Sequence, residues 1–278
     1  MVALIPLLVI GAVVVLAVAL RQPDATAVDV NAEWRRVLIV RAAALGAGVV
    51  TAYLAHTTTA LGRGTMLAPA LVGLGVVVGV ALGETLVRPP RPDGVRTASL
   101  APRRVRDHVP SGLAVTVLTA MLLHAVTLVV TSVSASADDL GRAGRQLAHT
   151  CGDVTQARGP YPGSFYSLPL AATLLAIALV TAAALVVVVR RPRGFSTDDA
   201  GDDLLRRRSA TTVLAAFGAS VTASHAGIAF YAGVALRGME CGAPWMRPAG
   251  VALLVSVPVA VVLTGWLLGR VFTPDRPR

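Results

Sequence analysis

Apolar runs long enough to cross a bilayer recur along this chain, separated by short segments rich in Arg, Pro and Gly. A hydrocarbon core about 30 Å thick needs roughly 20 residues at about 1.5 Å rise each. Seven stretches meet that length, at about 2–20, 37–56, 66–87, 111–132, 168–189, 210–236 and 248–269. Lipid offers the backbone no hydrogen-bond partner, so each stretch is expected to be a helix. The alternating segments of about ten residues that a barrel would need are missing. The expected fold is therefore all-α, a polytopic membrane helix bundle with seven transmembrane helices. The first stretch has no positive residue before it and Arg21 after it, the wrong order for a cleaved signal, so it reads as a retained anchor. An Ala25-Thr26-Ala27 triplet would suit a cleavage site if it were removed.

Composition agrees with that pattern. Of 278 residues, 55% are hydrophobic and 14% charged, and the mean hydropathy is +0.69. A soluble domain of this size carries more charge than that. All 25 basic residues are Arg, giving a formal charge of +10. They lie between the apolar runs and not along one polar face, so no nucleic-acid partner is expected; the partners implied are the bilayer and its headgroups.

The Arg residues also predict orientation. The segments after the first, third, fifth and seventh stretches hold 18 Arg, and the intervening segments hold 6. Positive loops stay inside, which puts segments 21–36, 88–110 and 190–209 and the C-terminus in the cytoplasm of a cell-membrane protein. The N-terminus and segments 133–167 and 237–247 are then outside. Cys151 and Cys241 both fall in those outer segments, where disulfides persist, and are expected to pair.

Gly75, Gly79 and Gly83 repeat every fourth position in the third stretch, a face for close helix packing against another helix of the chain or a second copy. In loop 88–110, Arg96, Arg103, Arg104 and Arg106 are candidate contacts for anionic lipid or a protein partner. Pro89, Pro90, Pro92 and Pro102 there favour an extended path. The segment Ser196–Arg208 reads as a capped helix start with Asp202–Arg206 and Asp203–Arg207 pairs, and Arg206, Arg207 and Arg208 are further candidates for anionic contact. Its aspartates, Asp198 to Asp203, also admit a magnesium site for a lipid diphosphate. Asp138 and Asp139 are expected to open a short outer helix reaching about His149. Gly159–Tyr166 follows as an aromatic interfacial anchor, or alternatively a lid.

Ionisable groups inside spans are costly and invite a functional reading. His124 and His225 fall near the middle of the fourth and sixth stretches, and His56 at the outer end of the second could extend a polar path. Packing through nearby hydroxyls is the alternative for each. Glu84 is expected to pair with Arg88 one turn on. No short His/Cys motif for a metal occurs, and no motif asks for a cofactor. Gly218-Ala219-Ser220 lacks the following Gly of the rhomboid-protease serine motif, and the last stretch has no histidine, so that chemistry is rejected.

Glu84-Thr85-Leu86-Val87-Arg88-Pro89-Pro90, and Val95–Leu100 followed by Pro102–Asp107, resemble an uncharacterised family of actinobacterial multi-pass membrane proteins across Ala32–Pro110. The absence of Lys fits such a GC-rich source. The resemblance implies a membrane protein and no particular activity. Three functions follow as expectations: a binding or structural membrane subunit of a larger assembly, a small transporter with a polar path near His124 and His225, and a membrane enzyme acting on a lipid diphosphate.

Overall fold

The structure is a computed structural model that describes residues 28–86, 104–191 and 199–272, with the side chains of 28–35, 199 and 272 excepted. The stretch at 2–20, Arg96, Arg103, Arg88 and Asp198 lie outside the described residues. Six long helices follow in order: α1 (Val28–Thr58), α2 (Arg63–Leu86), α3 (Ser111–Ser134), α4 (Ser164–Arg190), α5 (Asp199–Arg237) and α6 (Met246–Phe272). Each is long and apolar enough to cross a membrane. They coincide with the second to seventh apolar stretches.

The helix α5 is the axis of the bundle. Of its most apolar stretch 72% is buried, against 11% for α6, and it packs against α2, α3, α4 and α6. Its small residues make this possible: Ala210, Ala215, Ala216, Ala219, Ala229 and Ala232 are all buried. At 39 residues it is about 58 Å long, about twice a bilayer core, so its first turns extend beyond the apolar layer.

The glycine face of α2 packs on α1 of the same chain. A Cβ at Gly79 would stand 2.9 Å from Ala44 Cβ, and one at Gly83 would stand 3.1 Å from Val37 Cγ1 and from Arg41 Nε. At Gly75 it would run into the Ala44 carbonyl. Gly48 on α1 faces Gly75 in turn. Close backbone approach supplies the dispersion contacts that replace the absent hydrophobic drive in lipid.

One end of the bundle carries the only strands among the described residues. β1 (Leu147–Cys151) and β2 (Val154–Arg158) form an antiparallel hairpin in the register Leu147↔Arg158 to Cys151↔Val154. Gly152, with φ 59°, supplies the positive dihedral of its two-residue turn. The short helix expected from Asp138 to His149 is absent. The Asp138 carboxylate accepts from the Leu140 and Arg142 backbone N–H groups and from the Arg142 guanidinium, which winds a tight turn. Gly141 and Gly144 then take positive φ, which ends any helix. Cys151 is disulfide-bonded to Cys241 in the α5–α6 turn, and Gln156 accepts from the Glu240 backbone N–H at 2.9 Å beside it. The hairpin is thus fastened to the ends of α5 and α6.

The aromatic stretch is not an exposed belt. Tyr161 and Tyr166 are buried. Tyr166 Oη donates to the Leu61 carbonyl at 2.9 Å, gripping the α1–α2 turn. Phe165 lies between two guanidinium groups, Arg145 at 4.2 Å and Arg63 at 4.8 Å from its ring centre.

Candidate functional site

Near the middle of the bundle, α3 and α5 bring His124 and His225 together. Their ring centres are 5.7 Å apart and their planes stand at 84°. Both are buried, at 2% and 3% exposure, beside fully buried Ser224. His225 lies 16 residues beyond Ser209 on α5, about 24 Å along the helix from the Glu84 end.

One of the two rings has a hydrogen-bond partner. Ser256 on α6 lies 3.1 Å from His225 Nε2 and 2.7 Å from the Leu253 carbonyl. With its hydroxyl proton on the Leu253 carbonyl, Ser256 accepts from His225 Nε2–H and Nδ1 keeps a bare lone pair. That Nδ1 has no partner, and neither ring nitrogen of His124 has one. Buried polar atoms are nearly always bonded, and three of the unpartnered buried nitrogens fall together here.

Polar positions continue from His124 along the buried face of α3. Thr127 and Thr131 follow at 5% and 1% exposure, and then comes Ser134, 2.7 Å from Tyr161 Oη. Ser134 gives its own proton to the Val130 carbonyl, so Tyr161 is the donor. Burial pushes the Tyr161 phenol above its usual range, against a smaller opposing effect of Ser134, and keeps it protonated. In the other direction the same face of α3 offers Val117 and Leu113, which join Val213, Phe217, Leu267 and Val271 in an apolar cluster.

His56 does not join the pair by any direct bond. Its Nδ1 is 2.8 Å from Thr65 Oγ1, linking α1 to the start of α2.

The charged groups gather at the end away from the hairpin. Glu84 was expected to face Arg88; the described partners lie on three other elements. Arg41 of α1 donates to its Oε1 at 3.1 Å. Arg191, just past α4, donates to its Oε2 at 2.7 Å, and Ser209 of α5 donates to the same oxygen at 2.6 Å. One carboxylate therefore joins α1, α2, α4 and α5. Sequence spacing pointed to Arg88, which lies outside the described residues; the clue to the described partner on α1 was Arg41, the one Arg set inside a span.

Arg206 also differs from expectation. It is buried, at 2% exposure. It donates to Asp203 at 2.8 Å, three residues before it, and to the Arg191 carbonyl at 3.2 Å. Arg104, Arg106 and Arg207 are exposed, and Arg208 is half-buried. Asp203 is held by Arg206 and faced by His108 at 3.9 Å, a poor setting for a metal-bound diphosphate. Among the described residues no three His, Cys, Asp or Glu side chains converge as metal ligands.

Comparison with protein-family models, with curated proteins and with solved structures gives no match for this chain.

Proposed function

We propose that the protein is a small multi-pass transporter of the cell membrane whose transported or coupling species occupies the His124–His225 pair. The observation that supports this most is the set of three unpartnered ring nitrogens, buried in the bundle and held on two helices, α3 and α5. Neither a lipid-facing anchor nor a packing contact needs them, and their desolvation costs free energy that packing alone does not return. The proposed arrangement has seven transmembrane helices, N-terminus outside and C-terminus in the cytoplasm. The Arg asymmetry supports this orientation, and so does the disulfide at the end opposite the Glu84 cluster.

The test is a flux screen on purified protein in liposomes, using a panel of inorganic ions, protons, amines and small polar solutes. A flux present in the wild type and lost in His124→Leu and His225→Leu supports the proposal. The absence of any histidine-dependent flux sinks it. Thermal melting of the same variants separates function from folding: His124→Leu removes only orphaned polar atoms and leaves stability unchanged or raised, whereas His225→Leu also gives up the Ser256 bond and costs about 1 kcal/mol. For the orientation, single cysteines at positions 106 and 207 in a Cys151→Ser, Cys241→Ser background should resist an impermeant thiol reagent in intact cells.

A second reading, a membrane subunit of a larger assembly, is favoured by the exposed guanidinium groups of Arg106 and Arg207 at the Glu84 end. A stoichiometric partner protein retained in mild detergent, and lost on Arg106→Ala with Arg207→Ala, would establish it.

A further inference from the structure

At the hairpin end, two guanidinium groups converge on one aromatic ring without the anions that would balance them. We propose that Arg63 and Arg145, held against Phe165, bind the phosphate of an anionic lipid headgroup. The site is separate from the histidine pair and does not rest on the transport reading.

Local structure fixes both cations. The α1–α2 turn passes through Leu61 and Gly62 at φ 58° and 72°, and Tyr166 Oη holds the Leu61 carbonyl. Arg63 therefore opens α2 beside the first turn of α4. Arg145 is held by its backbone, whose N–H donates to the Ser136 carbonyl at 3.3 Å and whose carbonyl accepts from the Tyr161 N–H at 3.2 Å. The guanidinium carbons of Arg63 and Arg145 lie 4.8 Å and 4.2 Å from the Phe165 ring centre, so they are no farther apart than those two distances end to end. One phosphate, accepting N–H···O bonds of about 2.8 Å from each side, bridges such a gap.

The charges do not balance without a ligand. Asp138 Oδ2 is 2.8 Å from Arg142 Nε and 3.5 Å from Arg145 Nη1, so one carboxylate serves two guanidinium groups. Among the described residues the Arg63 side chain has no ion pair and no hydrogen bond; what it meets is the Phe165 ring. Its Nε and that of Arg145 are both shut off from water without a partner. Three Arg and one Asp leave positive charge in excess, and a half-buried cation with no counter-ion is unfavourable. One guanidinium suffices to clamp Phe165. A second on the same ring adds like-charge repulsion, which an anion between them turns into attraction.

Depth identifies the source of the phosphate. The 24 residues of α2 rise about 36 Å, slightly more than a hydrocarbon core of about 30 Å. Arg63 is the first residue of α2 and Phe165 the second of α4, so both stand at the level of the headgroups. The excess positive charge selects an anionic headgroup over a zwitterionic one, and the guanidinium forks match phosphate oxygens in pairs.

Native mass spectrometry of the full chain in detergent tests this, with titration by dioleoyl phosphatidylglycerol, dioleoyl phosphatidylcholine or inorganic phosphate. The wild type should bind its first phosphatidylglycerol about ten-fold more tightly than phosphatidylcholine, and inorganic phosphate should not displace it. Arg63→Gln and Arg145→Gln should each weaken that first lipid about ten-fold. Arg106→Gln with Arg207→Gln, at the opposite end, should leave it unchanged. Arg63→Lys keeps the cation and loses the fork; it should melt with the wild type and still weaken the lipid, which separates recognition from folding. Equal lipid affinity in the wild type and the Arg63 and Arg145 variants overturns the proposal, as does equal affinity of the wild type for the two lipids. Displacement by inorganic phosphate overturns the headgroup as the source. A loss confined to the Arg106/Arg207 variant overturns the location.

Discussion

Arg41 and Glu84 meet at 3.1 Å across the α1–α2 contact, with side-chain exposures of 15% and 9%. The same carboxylate takes a second guanidinium, that of Arg191, at 2.7 Å. Two cations therefore depend on one anion in a place where water screens little. Removing one partner of a buried pair leaves an uncompensated charge and costs about 3–5 kcal/mol. Glu84→Gln should lower the melting temperature in detergent far more than Glu84→Gln combined with Arg41→Met, which removes a stranded cation as well. A single variant that melts with the wild type would show that the cluster is solvated and adds nothing to stability.

The glycine face makes a contrast within one helix pair. Gly75→Ala places a Cβ against the Ala44 backbone carbonyl, which has no rotamer by which to move away. Overpacking of this kind costs about 1–3 kcal/mol. A methyl group added at Gly46, on α1, would meet nothing within 4 Å, so Gly46→Ala should stabilise by up to about 1 kcal/mol through helix propensity alone. Melting curves that move in the same direction for both would contradict the packing of α1 on α2.

The six described spans were legible because membrane helices are specified by composition over about 20 residues, a signal that survives ignorance of every contact. The pairing of His124 with His225 was legible only as a shared depth, since periodicity gives height along a helix and not which helices adjoin. Glu84 was assigned to Arg88 because i,i+4 spacing is visible in a sequence and a partner on α1 is not. The segment between α3 and α4 failed differently. Asp138 and Asp139 resemble a helix start, but Gly141 and Gly144 follow within six residues and take positive φ, and the side chain of Asp138 folds back on its own turn. The carboxylate that would cap a helix closes a loop instead.

The tautomer of His225 is open to direct observation. With Nε2–H donated to Ser256, the nitrogen-15 spectrum of labelled protein should show Nε2 protonated and Nδ1 unprotonated at neutral pH. Ser256→Ala removes the acceptor, and the two tautomers should then mix, with a loss of stability of about 1 kcal/mol for the hydrogen bond. If Nδ1 carries the proton in the wild type, the Ser256 hydroxyl is a donor to the ring.

Asp138 gives the segment before the hairpin a dependence on acid. Desolvation works to raise its carboxyl, but the Arg142 backbone N–H, the Arg142 guanidinium and the Leu140 N–H together outweigh it and hold the pKa below the ordinary carboxylate value. A folded value below the unfolded one means that the stabilisation is complete above the unfolded pKa of about 4 and is lost as pH falls through the lower folded value. Acid should therefore loosen the Asp138–Arg142 turn first, leaving the helices in lipid, where the hydrogen bonds of the backbone are internal. Amide hydrogen exchange at Leu140 and Arg142 reads this locally. Exchange at these two amides, corrected for its intrinsic pH dependence, should be slow at neutral pH and quicken in acid. Asp138→Asn should quicken it at neutral pH and flatten the acid response, because an amide lacks the charge that both the N–H groups and the guanidinium bind. Equal protection in the variant and the wild type at neutral pH would mean that the backbone alone closes the turn, and that the carboxylate is a passenger.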